Sequence, residues 1–181
     1  MTAELSSLPA KVVLLDEALA AADLPHAFGG ALALAWCTER ARGTIDIDVN
    51  VFVSGDEIGR VFAALPDGVT ISEAGRSQIA REGQARLWWD DTPIDIFLNT
   101  LPFHEQVGMR AVLRRFGDRT MPFLSCRDLA VFKAFFDRTK DWADLEAMYD
   151  AGVLDVDRLV GTLIRFLGVD DHRVRRALEL G

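Results

Sequence analysis

The sequence is poor in cysteine and histidine, and this shortage argues against several classes of protein. Its 181 residues include 2 cysteines and 3 histidines. Cys37 and Cys126 are far apart and have no neighbouring histidine, so we expect neither a metal-binding motif nor a disulfide-rich secreted scaffold. We expect two free thiols in a reducing compartment. The scattered histidines form no metal-binding or catalytic-triad signature.

Long apolar runs are also lacking. No apolar segment approaches the roughly 20 residues that a membrane-spanning helix needs. Segment 1–25 has acidic side chains and no basic stretch ahead of an apolar core, which argues against a signal peptide. We therefore expect a cytoplasmic protein with no membrane partner.

Positive charge is in deficit. The chain has 28 acidic and 20 basic residues, for a net charge of -8. A molecule with this balance repels polyanions at long range, so binding of nucleic acid would require a local basic patch. A cluster of arginines could provide one, but such a cluster is more often an ordinary solvated face. Its members are Arg110, Arg114, Arg115 and Arg119.

The hydrophobic content is 50%, which is enough for one good core. Periodicity predicts an α+β chain, with helices and strands mixed over 1–124 and a helical part over 125–181 packed on that core. Predicted helices cover 8–22, 31–39, 55–65, 142–149, 156–167 and 171–180, and a further helix, capped by Ser125, runs through 129–136. Predicted strands cover 26–28, 46–53, 84–89, 93–99 and 119–124, with a doubtful one at 69–72. The turn Asp90-Asp91-Thr92 is predicted to join 84–89 and 93–99 in a hairpin. Segment 103–116 fits either a helix or a loop followed by a strand.

Two acids stand out in the 46–53 strand. Polar and apolar residues alternate there, so Asp46 and Asp48 point to one face, about 6.5–7 Å apart along the backbone. Asp95 is the single charge in another strand, flanked by apolar residues. If the two strands are neighbours, the carboxylates repel one another, and a bound cation is the usual compensation. The alternatives are a solvated polar face for the first two acids and a backbone-bonded structural role for Asp95.

A glycine pair, Gly29-Gly30, follows a short predicted strand and precedes a helix. Glycine permits a positive φ and a close approach of a ligand to the backbone, and a helix N-terminus offers free N–H groups to an anion. The pair is equally compatible with an ordinary turn. Later in the chain, Lys133 fits a lysine whose stem lies along an apolar helix, and Lys140-Asp141 fits a solvated lysine beside a helix cap.

Taken in order, these residues resemble the active-site pattern of the DNA polymerase β-type nucleotidyltransferase superfamily. The motifs are Gly29-Gly30, Arg42-x-Thr44-x-Asp46-x-Asp48 and Asp95. The branch that the chain resembles most is the AbiEii-like group of small bacterial nucleotidyltransferases, several of which are toxins of toxin–antitoxin pairs. That branch has a lysine on a later helix and then a K-D-x-x-D stretch, matched here by Lys133 and by Lys140-Asp141-Trp142-Ala143-Asp144. The superfamily's usual Gly-Ser is Gly-Gly here, which removes a hydroxyl contact to phosphate.

The resemblance implies the nucleotidyltransferase fold: a small mixed β-sheet flanked by helices, followed by a helical C-terminal part. It also implies Mg²⁺-dependent transfer of a nucleoside monophosphate from NTP to an acceptor, which could be a small molecule, RNA or protein. The acids Asp46, Asp48 and Asp95 would be both catalytic residues and metal ligands. The nucleotide contacts would come from Gly29, Gly30, Arg42, Thr44, Lys133, Lys140 and Asp141.

Three functional hypotheses follow. The first is an active nucleotidyltransferase. In the second, the same chemistry belongs to a toxin that a partner antitoxin inhibits. In the third, the chain is a catalytically inactive nucleotide-binding or protein-interaction domain of the same fold, which the intact set of acids disfavours.

Overall fold

The computed structural model describes residues 7–41 and 43–181. Contacts within the chain define two compact units. The described residues of the first unit are 7–32 and 43–124, and those of the second are 33–41 and 125–181. The predicted packing of the C-terminal part on the core stays a prediction.

The first unit is built on strands and contains most of the shorter helices. Its described helices are α1 (Leu8–Ala21), α2 (Gly30–Thr38, whose later residues belong to the second unit), α3 (Ile58–Ala64, entered through the 3-10 turn Gly55–Glu57), α4 (Glu73–Glu82) and α5 (Pro102–Met109). Its described strands are β1 (His26–Phe28), β2 (Ile47–Ser54), β3 (Val69–Thr70), β4 (Gln84–Trp89), β5 (Thr92–Asn99), β6 (Val112–Phe116) and β7 (Arg119–Phe123).

The strands form one mixed sheet in the order β3-β4-β5-β2-β1-β7-β6. Strand β2 pairs in parallel with β5, and β1 pairs in parallel with β7, whereas the other neighbours are antiparallel. In the central strand β2, the apolar residues Ile47, Val49 and Val51 are fully buried. Asp48, between two of them, is only partly buried. The alternation read from the sequence therefore separates a core face from a polar face at this point.

The β4–β5 hairpin is anchored to α1 by a buried lysine. The ammonium of Lys11 donates to the carbonyl oxygen of Trp89 at 2.7 Å and to Oγ1 of Thr92 at 3.1 Å. It also lies 3.2 Å from Oδ2 of Asp90, inside the turn. Because a buried cation is costly without partners, these contacts hold the hairpin in one position.

Two stretches of the first unit differ from what periodicity alone indicates. Helix α4 was not predicted because it buries little apolar surface, with Ile79 its one buried large side chain. Its ends are nevertheless well marked: Ser72 accepts from the N–H of Gly75 at 3.0 Å, and Gly83 ends the helix at φ 69. Segment 103–116, for which the sequence allows a helix or a loop followed by a strand, combines the two: it contains most of helix α5 and then strand β6.

The second unit is helical. Besides the end of α2 it contains α6 (Cys126–Phe136), α7 (Thr139–Asp150), α8 (Val156–Leu167) and α9 (His172–Leu178). The predicted cap at Ser125 is confirmed, since its Oγ accepts from the N–H of Asp128 at 3.2 Å. Among the described residues, no helix combines the length and the apolar character that crossing a membrane requires.

The two cysteines are joined, and the expectation of free thiols is wrong. Cys37 and Cys126 form a disulfide within the second unit, with their Cα atoms 5.5 Å apart and a sequence separation of 89. Pairing over such a distance depends on tertiary structure, and spacing in the sequence does not reveal it. The cytoplasmic location stays a prediction and loses the support of the thiol argument.

Candidate active site

Parallel pairing of β2 and β5 places two acids side by side. Asp48 and Asp95 are register partners in this ladder, and neighbouring strands lie about 4.8 Å apart. The condition set from sequence, that the two acid-bearing strands be neighbours, is therefore met. Asp46 directly precedes β2, and its side chain is 29% exposed, against 24% for Asp95.

An arginine that sequence reasoning missed lies among these acids. Arg86 on β4 faces Asp95 in the antiparallel register. Its Nε donates to Oδ1 of Asp95 at 2.8 Å, and its Nη2 donates to Oδ2 at 2.6 Å. The same Nη2 reaches Oδ2 of Asp46 at 3.4 Å. One guanidinium thus bridges an acid of β5 and the acid that precedes β2.

The electrostatic consequence is a firmly charged guanidinium. Hydrogen bonding to Asp95 raises the pKa of Arg86 above its ordinary value, and the nearby carboxylates of Asp95, Asp46 and Asp48 raise it further. Asp48 therefore also lies within electrostatic reach of this cation. The three acids around this arginine, Asp46, Asp48 and Asp95, are here called the acid cluster.

The sequence did carry a signal for Arg86. The β4–β5 loop is Asp90-Asp91, and Trp89 pairs with Thr92 across it. Loop length sets the register of a hairpin, so counting back from this turn places Arg86 opposite Asp95. The exposed positions of β4 also include Arg86, as expected for the polar face of an alternating strand.

The glycine pair supports the acid cluster from the end of β1. The N–H of Gly29 donates to the carbonyl oxygen of Asp48 at 2.9 Å. Gly30 has φ +51, and a Cβ placed on it would lie 1.8 Å from Oδ2 of Asp48. The backbone at the start of α2 therefore comes so close to this carboxylate that a side chain has no room. Only glycine satisfies both the conformation and the space.

Thr44 contacts the backbone of an acid. Its Oγ1 accepts from the N–H of Asp46 at 3.2 Å and lies 3.3 Å from the carbonyl oxygen of the same residue. This contact shapes the entry to β2. A phosphate contact of Thr44 stays a prediction. Arg42 lies outside the described residues.

The lysines and the acid assigned to nucleotide binding lie in the second unit. Lys133 is buried, and its ammonium is 2.5 Å from Oδ2 of Asp144 and 3.9 Å from Oδ1 of Asp141. Asp141 also accepts from Nε of Arg138 at 2.6 Å. Lys140 is exposed. Lys133 is thus neither at the surface nor unpaired, and its role toward a nucleotide stays a prediction.

Asp141 also matches the simpler reading of its motif. Its Oδ2 accepts from the backbone N–H of Arg138 at 3.3 Å, at the start of α7. An acid in the first turn of a helix satisfies N–H groups that have no partner inside the helix. The K-D-x-x-D stretch therefore has a structural role in joining α6 to α7 within the second unit.

The donor chemistry of the acid cluster suits a hard divalent cation, because Mg²⁺ prefers carboxylate oxygens. The present arrangement is not a finished coordination site. Across 7–41 and 43–181, no three His, Cys, Asp or Glu side chains are positioned together to hold a metal ion. Arg86 supplies the positive charge in this state. The metal assignment to Asp46, Asp48 and Asp95 therefore stays a prediction.

No protein-family model matches the chain, and no curated protein matches it. Solved structures do. The antibiotic-resistance factor ANT(2'')-Ia, known from a solution structure, matches with a TM-score of 0.62 at 14% identity, over 92% of this chain and 97% of that chain. The lincosamide antibiotic adenylyltransferase LnuA, crystallised with lincomycin bound, matches with a TM-score of 0.54 at 13% identity, over 78% of this chain and 96% of that chain.

Identities this low establish the fold alone. The predicted fold class, an α+β nucleotidyltransferase fold with a mixed sheet, helices around it and a helical C-terminal part, is confirmed. The AbiEii-like branch stays a prediction. Function must be argued from the site, because one fold carries many activities.

Proposed function

We propose that this chain is a Mg²⁺-dependent nucleotidyltransferase. The observation that carries the proposal is the register of β2 and β5, which sets Asp48 beside Asp95, with Asp46 linked to Asp95 through one arginine nitrogen. Three carboxylates close together on one sheet face repel one another, which lowers stability unless a cation neutralises them. The fold shared with an adenylyltransferase supports the same reading.

In the proposed reaction, an acceptor hydroxyl oxygen bonds to the α-phosphorus of NTP. The bond from that phosphorus to the oxygen of the β-phosphate breaks, and pyrophosphate leaves. Asp95 takes the proton of the hydroxyl as general base. Mg²⁺ held by Asp46, Asp48 and Asp95 would neutralise charge on the triphosphate. The backbone N–H groups at the start of α2, which Gly30 begins, would face the phosphates.

We propose a small hydroxyl-bearing molecule as the acceptor. LnuA carries lincomycin, and ANT(2'')-Ia is an antibiotic-resistance factor. The net charge of -8 disfavours a long polyanion such as RNA at physiological salt. Catalysis of this kind depends on positioning and charge neutralisation more than on covalent chemistry by the protein.

The test identifies which acceptor receives the labelled nucleoside monophosphate. The full chain is incubated with Mg²⁺ and each α-labelled NTP, and lincosamides, aminoglycosides, total RNA and total protein are offered in turn. We expect label on a small acceptor and release of pyrophosphate. Label on RNA or protein, together with growth arrest on expression, would instead favour the toxin hypothesis with its antitoxin partner.

Matched variants give this test its control. Asp46→Asn with Asp48→Asn should lower transfer by about a hundredfold or more. Mutation of residues that only hydrogen-bond to a metal's ligands already lowers metal affinity or activity about 10- to 100-fold. Asp56→Asn with Asp67→Asn removes the same charge from exposed positions and should leave transfer unchanged. Equal transfer by both double variants would reject the site. NTP binding without any transfer would favour the inactive nucleotide-binding domain.

A further inference from the structure

Arg86 occupies the position among the carboxylates where positive charge is needed. Its two nitrogens take both oxygens of Asp95, at 2.8 and 2.6 Å, and one of them also reaches Asp46 at 3.4 Å. Paired hydrogen bonds of this kind fix the orientation of a carboxylate as well as neutralising it. The guanidinium therefore holds the acid cluster together when no other cation is present.

A divalent cation and this guanidinium cannot both bind the same carboxylate oxygens at once. Mg²⁺ binds carboxylate oxygens at about 2.0–2.1 Å with near-octahedral geometry. Nη2 of Arg86 already lies 2.6 Å from Oδ2 of Asp95 and 3.4 Å from Oδ2 of Asp46. Two cations brought onto this pair of oxygens would also repel each other. Binding of the metal therefore requires Arg86 to withdraw.

The environment of Arg86 allows that movement. Its side chain is 46% exposed, so water screens the ion pair and can solvate the guanidinium when it leaves. The contrast is Lys133, whose side chain is 7% exposed and whose partner Asp144 is 4% exposed. Loss of the buried pair would strand charges away from water, whereas loss of the Arg86 pair would not.

We propose that Arg86 is the resident counter-cation of the acid cluster, and that its displacement from Asp95 sets the affinity of this site for a divalent metal. The inference rests on the proposed function, because it assigns the same three acids to metal. Arg86 acts through the carboxylates and is a positioning residue.

The test measures metal binding directly. Mn²⁺ is titrated into the full chain, without nucleotide, and free Mn²⁺ is followed by electron paramagnetic resonance. Arg86→Met removes the competing charge and should tighten binding by about tenfold, as expected for loss of a charge-assisted contact. Arg86→Lys keeps the charge without the paired geometry and should lie between the two. Arg81→Met is the matched control, because Arg81 is exposed and pairs with its neighbour Glu82; it should bind as the wild type does.

A second measurement separates competition from a structural role. Without metal, Arg86→Met should unfold at a lower temperature than the wild type, since the three carboxylates lose their counter-charge. Saturating Mn²⁺ should remove this difference in unfolding temperature, because the metal then neutralises the three carboxylates in both proteins. A gap of the same size with and without metal would mean that Arg86 only supports the hairpin, and the inference would fail. If Arg86→Met does not fold, Arg86→Lys carries the same comparison.

The outcomes distinguish this inference from the proposed function. Equal or weaker Mn²⁺ binding by Arg86→Met, with label transfer still present in the wild type, overturns the role of Arg86 alone. Binding by Arg86→Met that the wild type lacks supports it strongly. Absence of Mn²⁺ binding in all variants, together with absence of transfer, overturns the metal site and the proposed function with it.

Discussion

Gly30 and Asp48 approach each other so closely that a Cβ on the glycine would lie 1.8 Å from Oδ2 of the carboxylate. The two residues come from different parts of the chain: Gly30 begins α2, and Asp48 lies on β2. The backbone of Gly30 therefore limits where the Asp48 carboxylate can lie. Gly30 thus has a steric role beside Asp48, in addition to its predicted phosphate contact.

Replacement of Gly30 should therefore be costly. Gly30→Ala imposes a methyl group where Asp48 lies and a side chain at φ +51, so we expect a loss of about 1–3 kcal/mol in the free energy of unfolding. Asp48 would also be displaced, and transfer activity should fall further than stability explains. Urea unfolding and the labelling assay measure the two effects.

The control for this variant is Gly59→Ala. Gly59 lies in α3, and a Cβ there would meet nothing within 4 Å. Alanine is favoured over glycine in a helix, so stability should be unchanged or slightly higher. If Gly30→Ala were as stable and active as Gly59→Ala, the close approach of Gly30 to Asp48 would not exist in solution.

The buried lysine of the second unit should matter for stability. Lys133→Met leaves Asp144 and Asp141 without their ammonium, and a buried charge that loses its partner costs about 3–5 kcal/mol. Thermal and denaturant unfolding measure this loss. Lys140→Met, at an exposed position, is the control and should have little effect. A stable Lys133→Met with a raised KM for NTP would instead place Lys133 at the nucleotide.

Reduction should weaken the fold. The Cys37–Cys126 bond closes a loop with a sequence separation of 89, and on the chain-entropy model loss of a bond across such a loop costs about 4.6 kcal/mol. We expect a reductant to lower the Tm of the wild type. The variant Cys37→Ser with Cys126→Ser should start from that lower Tm and show no response to reductant. A wild-type Tm that ignores reductant would mean that the thiols are unpaired in solution.

Stability should also fall in mild acid because of His104. The backbone N–H of Thr100 donates to Nδ1 of His104 at 3.0 Å, so the neutral ring is the form that fits. Burial lowers the pKa of His104 below its ordinary value. A base with a lowered folded pKa takes up protons more readily when unfolded, so its stabilisation is complete above the unfolded pKa of about 6.5 and is lost as the pH falls below it.

The measurement for His104 is the unfolding free energy between about pH 7.5 and 5. The wild type should lose stability more steeply than His104→Asn, whose amide oxygen can accept from Thr100 but does not titrate in this range. Parallel curves for the two proteins would remove His104 as a source of acid sensitivity.

The sequence by itself determined the local structure. Alternation identified β2 and the shared face of its acids, and the predicted turn Asp90-Asp91-Thr92 identified the hairpin. The cap at Ser125 marked the start of α6. These features depend on residues close together in the chain, whose side-chain period and turn chemistry act before any long-range contact forms. Helix α4 was not found from the sequence because it buries almost no apolar side chains. Without apolar residues recurring on one face, the helical period does not show in the sequence.

Tertiary structure alone decided which distant residues meet. Parallel pairing of β2 with β5 joins strands separated by other elements, and the disulfide closes across an even longer segment. The pairing of Lys133 with Asp144 depends in the same way on how α6 packs against α7. No local period encodes such contacts, because they follow from how the elements pack to bury their apolar faces. The sequence thus predicted the acids of the candidate site, and the tertiary fold decided that an arginine from the neighbouring strand lies among them.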